Sequence, residues 1–581
     1  MTSRRLIGVA LGASVLLCLP LGITATTASW NDAEWAYGAV GTSSLRCGTD
    51  TGFTSTSSGR FLSGELLGVD LDPIADLEEM TLALAGDGAL TVDPPDAVEL
   101  GAAPPTYANP FDLSLLGGIV GVDLTGFSVP LPGASLGAAN QYAQVAPTGV
   151  ATGASGLVND SGAVLVDQST PSADLPAPAT VSLTELLPAV AGIAGAELQV
   201  GAVGASARLD GCAALRSALW GDGSVTGITR DYGIAGLGMQ LDSPAVAGLI
   251  GTVTSGITTI TAAVNALTGT SGLISTAVGA RIDLALPGVL TTGIGGTVAI
   301  TGLDLGGAVT TLLNTPLTDG VVTIDLQTGA IDVDLDALLP SLNDAPPNTQ
   351  IVLNAAVLNP IVTRVGTLLN SWSSQIVAAL TQELRDAAIT IDLTAIVRAP
   401  GVPILAPTGL DIIDVDVDFT GTVGQILAGT AVFTVTAEAI GAVGLINSVL
   451  SALGLPTLTA LINTILGLGP ALVTQVANTI TTTVLSTVTT LGTTLSTAIT
   501  AIITSVGGVV NALPTVLSVM VNVQPDQPGA PPGSTPVPAT PDATPQYLVS
   551  ALRIGLADVL VPADVAHVVL GTASAGPVTV P

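Results

Sequence analysis

Apolar residues recur at helical spacing in three long stretches of the chain. The first begins at Ser243-Pro244, the second at Asn359-Pro360, and the third extends from Ile480 to Val506. Steps of three and four residues predict amphipathic helices, and Ser or Asn before Pro is typical of a helix start. The opposite face of the third helix is mainly Thr and Ser, which are weak helix formers, so packing of the apolar stripe must hold it. The first stripe consists of Val246, Ile250, Val253, Ile257, Ile260, Val264 and Leu267.

Other segments alternate with a period of two, as strands do. Residues 321–326 and 330–336 flank Gln327-Thr328-Gly329, a pattern that predicts a β-hairpin. Asp414, Asp416 and Asp418 alternate with apolar residues, which predicts a strand with one apolar and one carboxylate face. Short apolar runs punctuated by Gly, Pro, Asn and Asp predict further strands before residue 241 and after residue 546.

These patterns predict an α+β fold: a β-rich N-terminal zone, then antiparallel strands and hairpins packed with long amphipathic helices, elongated in shape. We divide the chain into a signal peptide (1–28), a β-rich zone (29–240), an α+β zone (241–523), a Pro-rich loop or linker (524–546) and C-terminal strands (547–581). Within the α+β zone, Ile282-Asp283-Leu284 resembles Ile391-Asp392-Leu393, and each follows a long helical pattern. Either an internal duplication or a chance similarity of common residues would explain this resemblance.

The N-terminus has the features of an export signal. Arg4 and Arg5 precede an apolar run from Leu6 to Leu21, and cleavage after Ala25 or Ala28 fits the small residues there. Ser3-Arg4-Arg5-Leu6 partly matches a twin-arginine signal, but no later segment resembles a site for a pre-loaded cofactor, which favours the general secretory route. Lipidation of Cys18 is disfavoured because the large Leu17 precedes it.

Signal removal leaves two cysteines, Cys47 and Cys212. Two cysteines in an exported chain are expected to form one disulfide, and a loop of this length gives about 5 kcal/mol by the chain-entropy argument. The alternative is a pair of buried free thiols.

Charge is scarce and strongly acidic. Charged residues make up 10% of the chain and its formal net charge is −32, a balance that repels nucleic acid and anionic lipid. Residues 439–525 contain no ionisable side chain. A membrane element would explain that stretch, but Pro456 and the absence of flanking Arg or Lys favour amphipathic helices buried in a soluble fold. We therefore predict no nucleic-acid partner and no stable membrane span after signal removal.

Motifs for catalysis and metal binding are scarce. A phosphate-binding Walker loop needs Lys, which the chain lacks, and zinc motifs need more His and Cys than it has. The Gly-x-Ser-x-Gly match around Ser135 lacks the strand and helix of a nucleophile elbow, and its only candidate base is His567, which we interpret as a structural residue in a strand. We predict no catalytic residue, no cofactor and no metal site. The alternating aspartates leave calcium open as an alternative.

Several separated motifs carry a family resemblance. They are Trp30-Asn31-Asp32-Ala33-Glu34-Trp35, Ser58-Gly59-Arg60-Phe61-Leu62-Ser63-Gly64, Asn140-Gln141-Tyr142-Ala143, Asn159-Asp160-Ser161-Gly162-Ala163, Asp231-Tyr232-Gly233-Ile234-Ala235-Gly236-Leu237 and Asp242-Ser243-Pro244-Ala245-Val246-Ala247-Gly248-Leu249. Together they resemble the choice-of-anchor G family. The resemblance implies an exported actinobacterial surface protein and no established activity, ligand or catalytic residue. Because the sequence reaches Pro581 without a recognisable anchor, secretion or loose wall association is expected as much as covalent attachment.

We therefore predict an exported, non-catalytic cell-envelope or secreted surface protein that is adhesive or structural, with an unknown envelope or extracellular ligand. An extracellular hydrolase or carbohydrate-active enzyme is the first alternative, and a membrane-inserting protein is the second.

Overall fold

The computed structural model describes residues 45–581 except 67–68, 71–77, 111–126, 129–138, 168, 171–177, 185–186, 221–225, 340–341, 532–534 and 557–566. The predicted signal peptide, the motif at residues 30–35 and Ser135 lie outside the described residues. The chain from Arg46 to Pro581 forms one compact unit.

The strands of the first half of the chain are β1 (Thr54–Leu66), β2 (Val69–Asp70), β3 (Met80–Leu84), β4 (Leu90–Asp93), β5 (Val98–Ala102), β6 (Pro105–Pro110), β7 (Phe127–Ser128), β8 (Ala139–Val145), β9 (Val150–Leu157), β10 (Ala179–Ser182), β11 (Gly195–Val200), β12 (Val203–Asp210), β13 (Ile228–Ile234) and β14 (Leu237–Asp242). Those of the second half are β15 (Thr291–Thr301), β16 (Leu317–Thr318), β17 (Val322–Ile324), β18 (Ala330–Asp334), β19 (Thr349–Ile351), β20 (Ala388–Ala399), β21 (Leu410–Thr422), β22 (Thr434–Ala439), β23 (Leu517–Val523), β24 (Tyr547–Leu556) and β25 (His567–Thr579).

The helices in the described part of the chain are α1 (Gly211–Trp220), α2 (Pro244–Leu267), α3 (Leu273–Ala285), α4 (Leu305–Asn314), α5 (Ala355–Asp386), α6 (Val423–Leu427), α7 (Val443–Ala452), α8 (Leu458–Leu466), α9 (Gly469–Ile480) and α10 (Ser486–Val516). A π-helical turn, Thr481–Leu485, joins α9 to α10. With four antiparallel sheets beside these helices, the predicted α+β class is confirmed.

Two of the sheets pack face to face as a sandwich. The first has the order β19-β23-β24-β25-β1-β3-β4, with β2 beside β1, and the second has the order β13-β12-β9-β8-β6-β5. The C-terminal strand β25 pairs along β1, so both ends of the described chain share one sheet. Small residues allow the sheets to approach closely: a Cβ on Gly153 would lie 2.1 Å from the carbonyl oxygen of Ser58 and 2.3 Å from that of Ser574.

The third sheet has the order β16-β17-β18-β14-β11-β10-β7 and contains the predicted hairpin, because β17 pairs with β18 through Val322 and Val333. The fourth has the order β15-β20-β21-β22. In β21 the predicted alternation is present: Val415 and Val417 are buried, whereas Asp414 and Asp418 are exposed.

The long helices bury their apolar stripes. Helix α2 starts as predicted, with the Ser243 hydroxyl accepting a hydrogen bond from the Val246 N–H. Helix α5 starts one turn before the predicted start at Asn359, because the Asn354 side chain caps the N–H groups of Ala356 and Val357. Pro360 therefore lies inside the helix.

Threonine covers much of the outward face of these helices. Its hydroxyls donate to the carbonyl four residues earlier, as Thr497 does to Thr493 and Thr504 to Thr500, each at 2.9 Å. By length and composition, Pro244–Leu267 and Gly469–Val516 could each cross a membrane, yet their stripes pack in the protein interior.

Candidate functional site

The third sheet has one apolar and one polar face. Leu198, Met239 and Ile331 point to the buried side. The register aligns Glu197, Gln240, Asp332 and Thr323 in one row across β11, β14, β18 and β17, on the opposite and partly buried side. A polar face that is only half open to water is the most distinctive chemical surface in the described residues.

A cleft of about 530 Å³ opens at one end of this face. Glycine backbone lines part of it, and the Gly201 N–H donates a 2.8 Å hydrogen bond to the carbonyl of Gly236. A Cβ on Gly201 would lie 2.9 Å from the Gly236 nitrogen, so glycine is needed there. Polar side chains from β11, β17 and β18 form the walls: Gln199, Thr323, Asp332 and Asp334. The segment after β18 adds the carboxylate of Asp336.

Asp336 is the most perturbed of these groups. Burial raises the pKa of its carboxyl to about 6, the charge of Asp334 adds to the rise, and a hydrogen bond from the Leu237 N–H at 3.0 Å opposes it. Burial also raises the pKa of Asp332, with help from the charges of Asp242 and Asp325. None of the residues that line the cleft is an arginine. The cleft therefore holds carboxylates without a lining counter-charge.

Amide side chains hold fixed orientations beside the carboxylates. Gln199 Nε2 donates to Gln240 Oε1 at 2.8 Å, and Gln240 Nε2 donates to Asp242 Oδ1 at 3.2 Å. Such a row of oriented donors and acceptors suits a ligand with several hydroxyl groups or a cation, and the negative charge disfavours an anion.

The predicted disulfide is present. Cys47, which precedes β1, is bonded to Cys212 near the start of α1, with the two Cα atoms 5.4 Å apart and a sequence separation of 165. Cys212 is fully buried. The bond therefore ties the start of the described chain to the helix that follows β12.

The remaining predicted residues fall in different places. His567 opens β25 and stands opposite Glu65 and Gly555, in a strand as expected. Its distance to Ser135 is not defined because Ser135 lies outside the described residues. The aspartates of β21 occupy the open face of the fourth sheet, where Asp418 stands directly opposite Asp392. Within the described ranges, no group of three or more His, Cys, Asp or Glu side chains is arranged to hold a metal ion.

Sequence reasoning did not find the cleft. The period-two aspartates of β18 predicted the hairpin, but an alternating carboxylate is ordinarily solvated. Asp336 differs from the other aspartates because it is buried against the Ala235–Gly236 turn. This burial depends on the contact of Asp336 with Leu237, which lies about 100 residues earlier in the sequence.

Comparison with known protein families matches residues 57–576 to the family described as "Domain of unknown function (DUF8394)". No curated protein and no solved structure matches the chain.

Proposed function

The chain belongs to the DUF8394 family, and we propose that it is an exported, non-catalytic protein of the cell envelope or the extracellular medium, with an adhesive or structural role. The disulfide between Cys47 and Cys212 carries the proposal, because such bonds persist in oxidising compartments and are scarce in the cytosol. The signal-like N-terminus and the resemblance to the choice-of-anchor G family support the same placement.

In this proposal the cleft of the third sheet is the ligand site. Its carboxylates and the Gln199 amide, which Gln240 holds in a fixed orientation, fit a neutral ligand rich in hydroxyl groups, such as a polysaccharide segment, better than an anion. Glycan sites commonly add stacking aromatic rings, but the residues lining this cleft include none. Without stacking rings we expect each cleft to bind weakly, and many copies of the protein on one surface would strengthen the attachment.

Differential alkylation of the protein from its producing cells tests the export proposal. Fractions from cytoplasm, envelope and medium are treated with one thiol reagent before reduction and a second after it. We expect the protein in the envelope or medium, with Cys47 and Cys212 labelled only after reduction. A cytoplasmic protein whose two thiols react before reduction would contradict the proposal.

One observation favours a hydrolase as the second candidate. Asp336, with its raised pKa, lies in the same cleft as Asp332 and Asp334, and glycoside hydrolysis uses one protonated and one ionised carboxyl group. The hydrolase candidate predicts cleavage of a polysaccharide by the purified protein that is lost in both Asp332→Asn and Asp336→Asn. The non-catalytic proposal predicts no turnover in any of the three proteins, with binding altered by the same substitutions.

A further inference from the structure

Three chain connections meet at one end of the fourth sheet. They are the α3–β15 connection (residues 286–290), the β20–β21 hairpin loop (400–409) and the β22–α7 connection (440–442). The strand register places these connections together, because each of them begins or ends a strand at the same end of the sheet. The paired residues at this end of the sheet are Thr291 with Arg398, Arg398 with Asp411, and Ile413 with Ala439.

Large apolar side chains are exposed on and beside all three connections. Ile404 is 100% exposed and Leu284 is 77% exposed, while Val289 and Val443 are half exposed and Leu405 is 40% exposed. We call these five residues the apolar end. Nearby Leu286 and Leu290 are buried and fix the first connection in place.

The hairpin loop presents its apolar tip outward. Val402 and Ala406 pair through two 2.9 Å backbone hydrogen bonds, so Pro403, Ile404 and Leu405 form the tip. Ile404 has a φ of 78°, in the left-handed region that β-branched residues avoid. A left-handed backbone that holds a fully exposed isoleucine adds nothing to the packing of the fold, so we infer that this side chain contacts something outside the protein.

The apolar end carries no charge on a protein whose net charge is −32. Residues 284–303, 399–410 and 439–525 contain no Asp, Glu, Lys, Arg or His. The tip projects from the protein, so a folded partner would need a matching socket, whereas a fluid lipid layer needs none. These segments contain no basic residue that would attract anionic lipid, and Arg398, at the foot of the hairpin loop, is paired with Asp411 at 3.4 Å. Exposed carboxylates such as Asp414 and Glu438 lie on the adjoining sheet face.

We propose that the apolar end docks on a lipid surface without net charge by inserting Ile404 and its neighbours at the interface. Docking by loop tips buries only the outermost side chains and needs no spanning segment. It gives the exported protein a reversible attachment that does not depend on the third-sheet cleft.

Co-sedimentation of the mature protein with vesicles tests this. We expect binding to phosphatidylcholine vesicles and weaker binding when phosphatidylglycerol is added. Ile404→Asp should lower the partition coefficient at least about tenfold, because burial of this side chain is lost. Val432→Asp is the matched control, since Val432 is 82% exposed but precedes β22 at the opposite end of the sheet, and its binding should be unchanged.

Ile404→Gly separates binding from folding. Glycine accepts the left-handed backbone, so this variant should fold at least as well as the parent and still lose most vesicle binding. The proposal is overturned if the parent protein does not bind phosphatidylcholine vesicles, if Ile404→Asp binds like the parent, or if Val432→Asp loses binding equally. It is also overturned if the lipid-free protein is a dimer that Ile404→Asp converts to a monomer, because the apolar end would then be a contact between copies.

Discussion

In the sandwich the two sheets meet backbone to backbone, whereas the long helices meet through interlocking side chains. A Cβ on Gly59 would lie 2.1 Å from the carbonyl oxygen of Ala154 in the facing sheet. Helix α10 instead buries a continuous stripe from Val488 to Val516. The sandwich therefore depends on the absence of side chains at a few positions, and the helices depend on the presence of many.

Electrostatics divides the same two regions. The sandwich is tied to the loop after β23 by Arg230, which pairs with Asp526 at 2.8 Å, donates to Gln524 and lies 5.1 Å from the centre of the Tyr547 ring. Burial would raise the pKa of Asp526, but the hydrogen bond and charge of Arg230 outweigh it and lower that pKa. Residues 439–525 have no such groups. Changes of pH and salt should thus act on the sandwich and the third sheet and leave helices α7 to α10 largely unaffected.

The largest loss of stability should come from adding a side chain between the two sheets of the sandwich. Gly153→Val places a side chain against two backbone carbonyls that cannot move independently, so we expect a loss of more than about 4 kcal/mol, measured as failure to recover soluble protein or as a large fall in denaturation midpoint. Gly101→Val is the control in the same sheet, since its nearest neighbour would be 3.9 Å away. Equal stability of the Gly153 variant and the parent would show that the sheets do not meet as described.

Removing the buried charge pair should come next. Arg230→Ala leaves Asp526 without its partner and should lower the free energy of unfolding by about 3 kcal/mol in chemical denaturation. Arg364→Ala removes a more exposed pair with Asp319, at 2.7 Å, and should cost under about 1 kcal/mol. Similar losses for the two variants would mean that burial does not distinguish the pairs.

Asp336→Asn should stabilise the protein at neutral pH. A carboxyl whose pKa is raised to about 6 by folding favours the fold below its unfolded pKa, and this contribution is lost as the pH rises through about 6. We expect a gain of about 1–2 kcal/mol at pH 7.5, after allowance for partial solvent screening, and little difference near pH 4. Denaturation from pH 4 to pH 7.5 measures this, with Asp96→Asn as control, since Asp96 is exposed and does not line the cleft. If Asp336→Asn were less stable than the parent at pH 7.5, the ionised carboxylate of Asp336 would be in a favourable environment, contrary to our expectation.

The smallest effect belongs to the helices. Gly248 in α2 has open space around its Cα, so Gly248→Ala should raise stability by about 0.5–1 kcal/mol through helix propensity. Thermal unfolding measures the gain. A loss of stability would reveal a close neighbour at that position.

Local patterns in the sequence were sufficient for the long helices and the hairpin, but not for the shorter helices α1, α3, α4 and α6. The disulfide was expected because only two cysteines remain after the signal peptide, which is a matter of composition and not of a local pattern. Stripes, N-caps and alternation report burial within a few residues, which is how Ser243 and the β17–β18 hairpin were found. The start of α5 was misplaced because Asn354 and Asn359 are equally good caps by residue type, and only the fold decides between them. The pairing of β25 with β1 and the burial of Asp336 arise from contacts between distant segments, on which a local pattern carries no information.

Hydrogen exchange of the mature protein tests most directly whether the charge-free helices belong to a water-soluble fold that only docks on lipid. In detergent-free buffer, we predict strong protection of the backbone amides from Ser486 to Val516, unchanged when phosphatidylcholine vesicles are added. Rapid exchange of this segment in buffer, with protection appearing only in the presence of vesicles, would contradict the account and establish the segment as a membrane element.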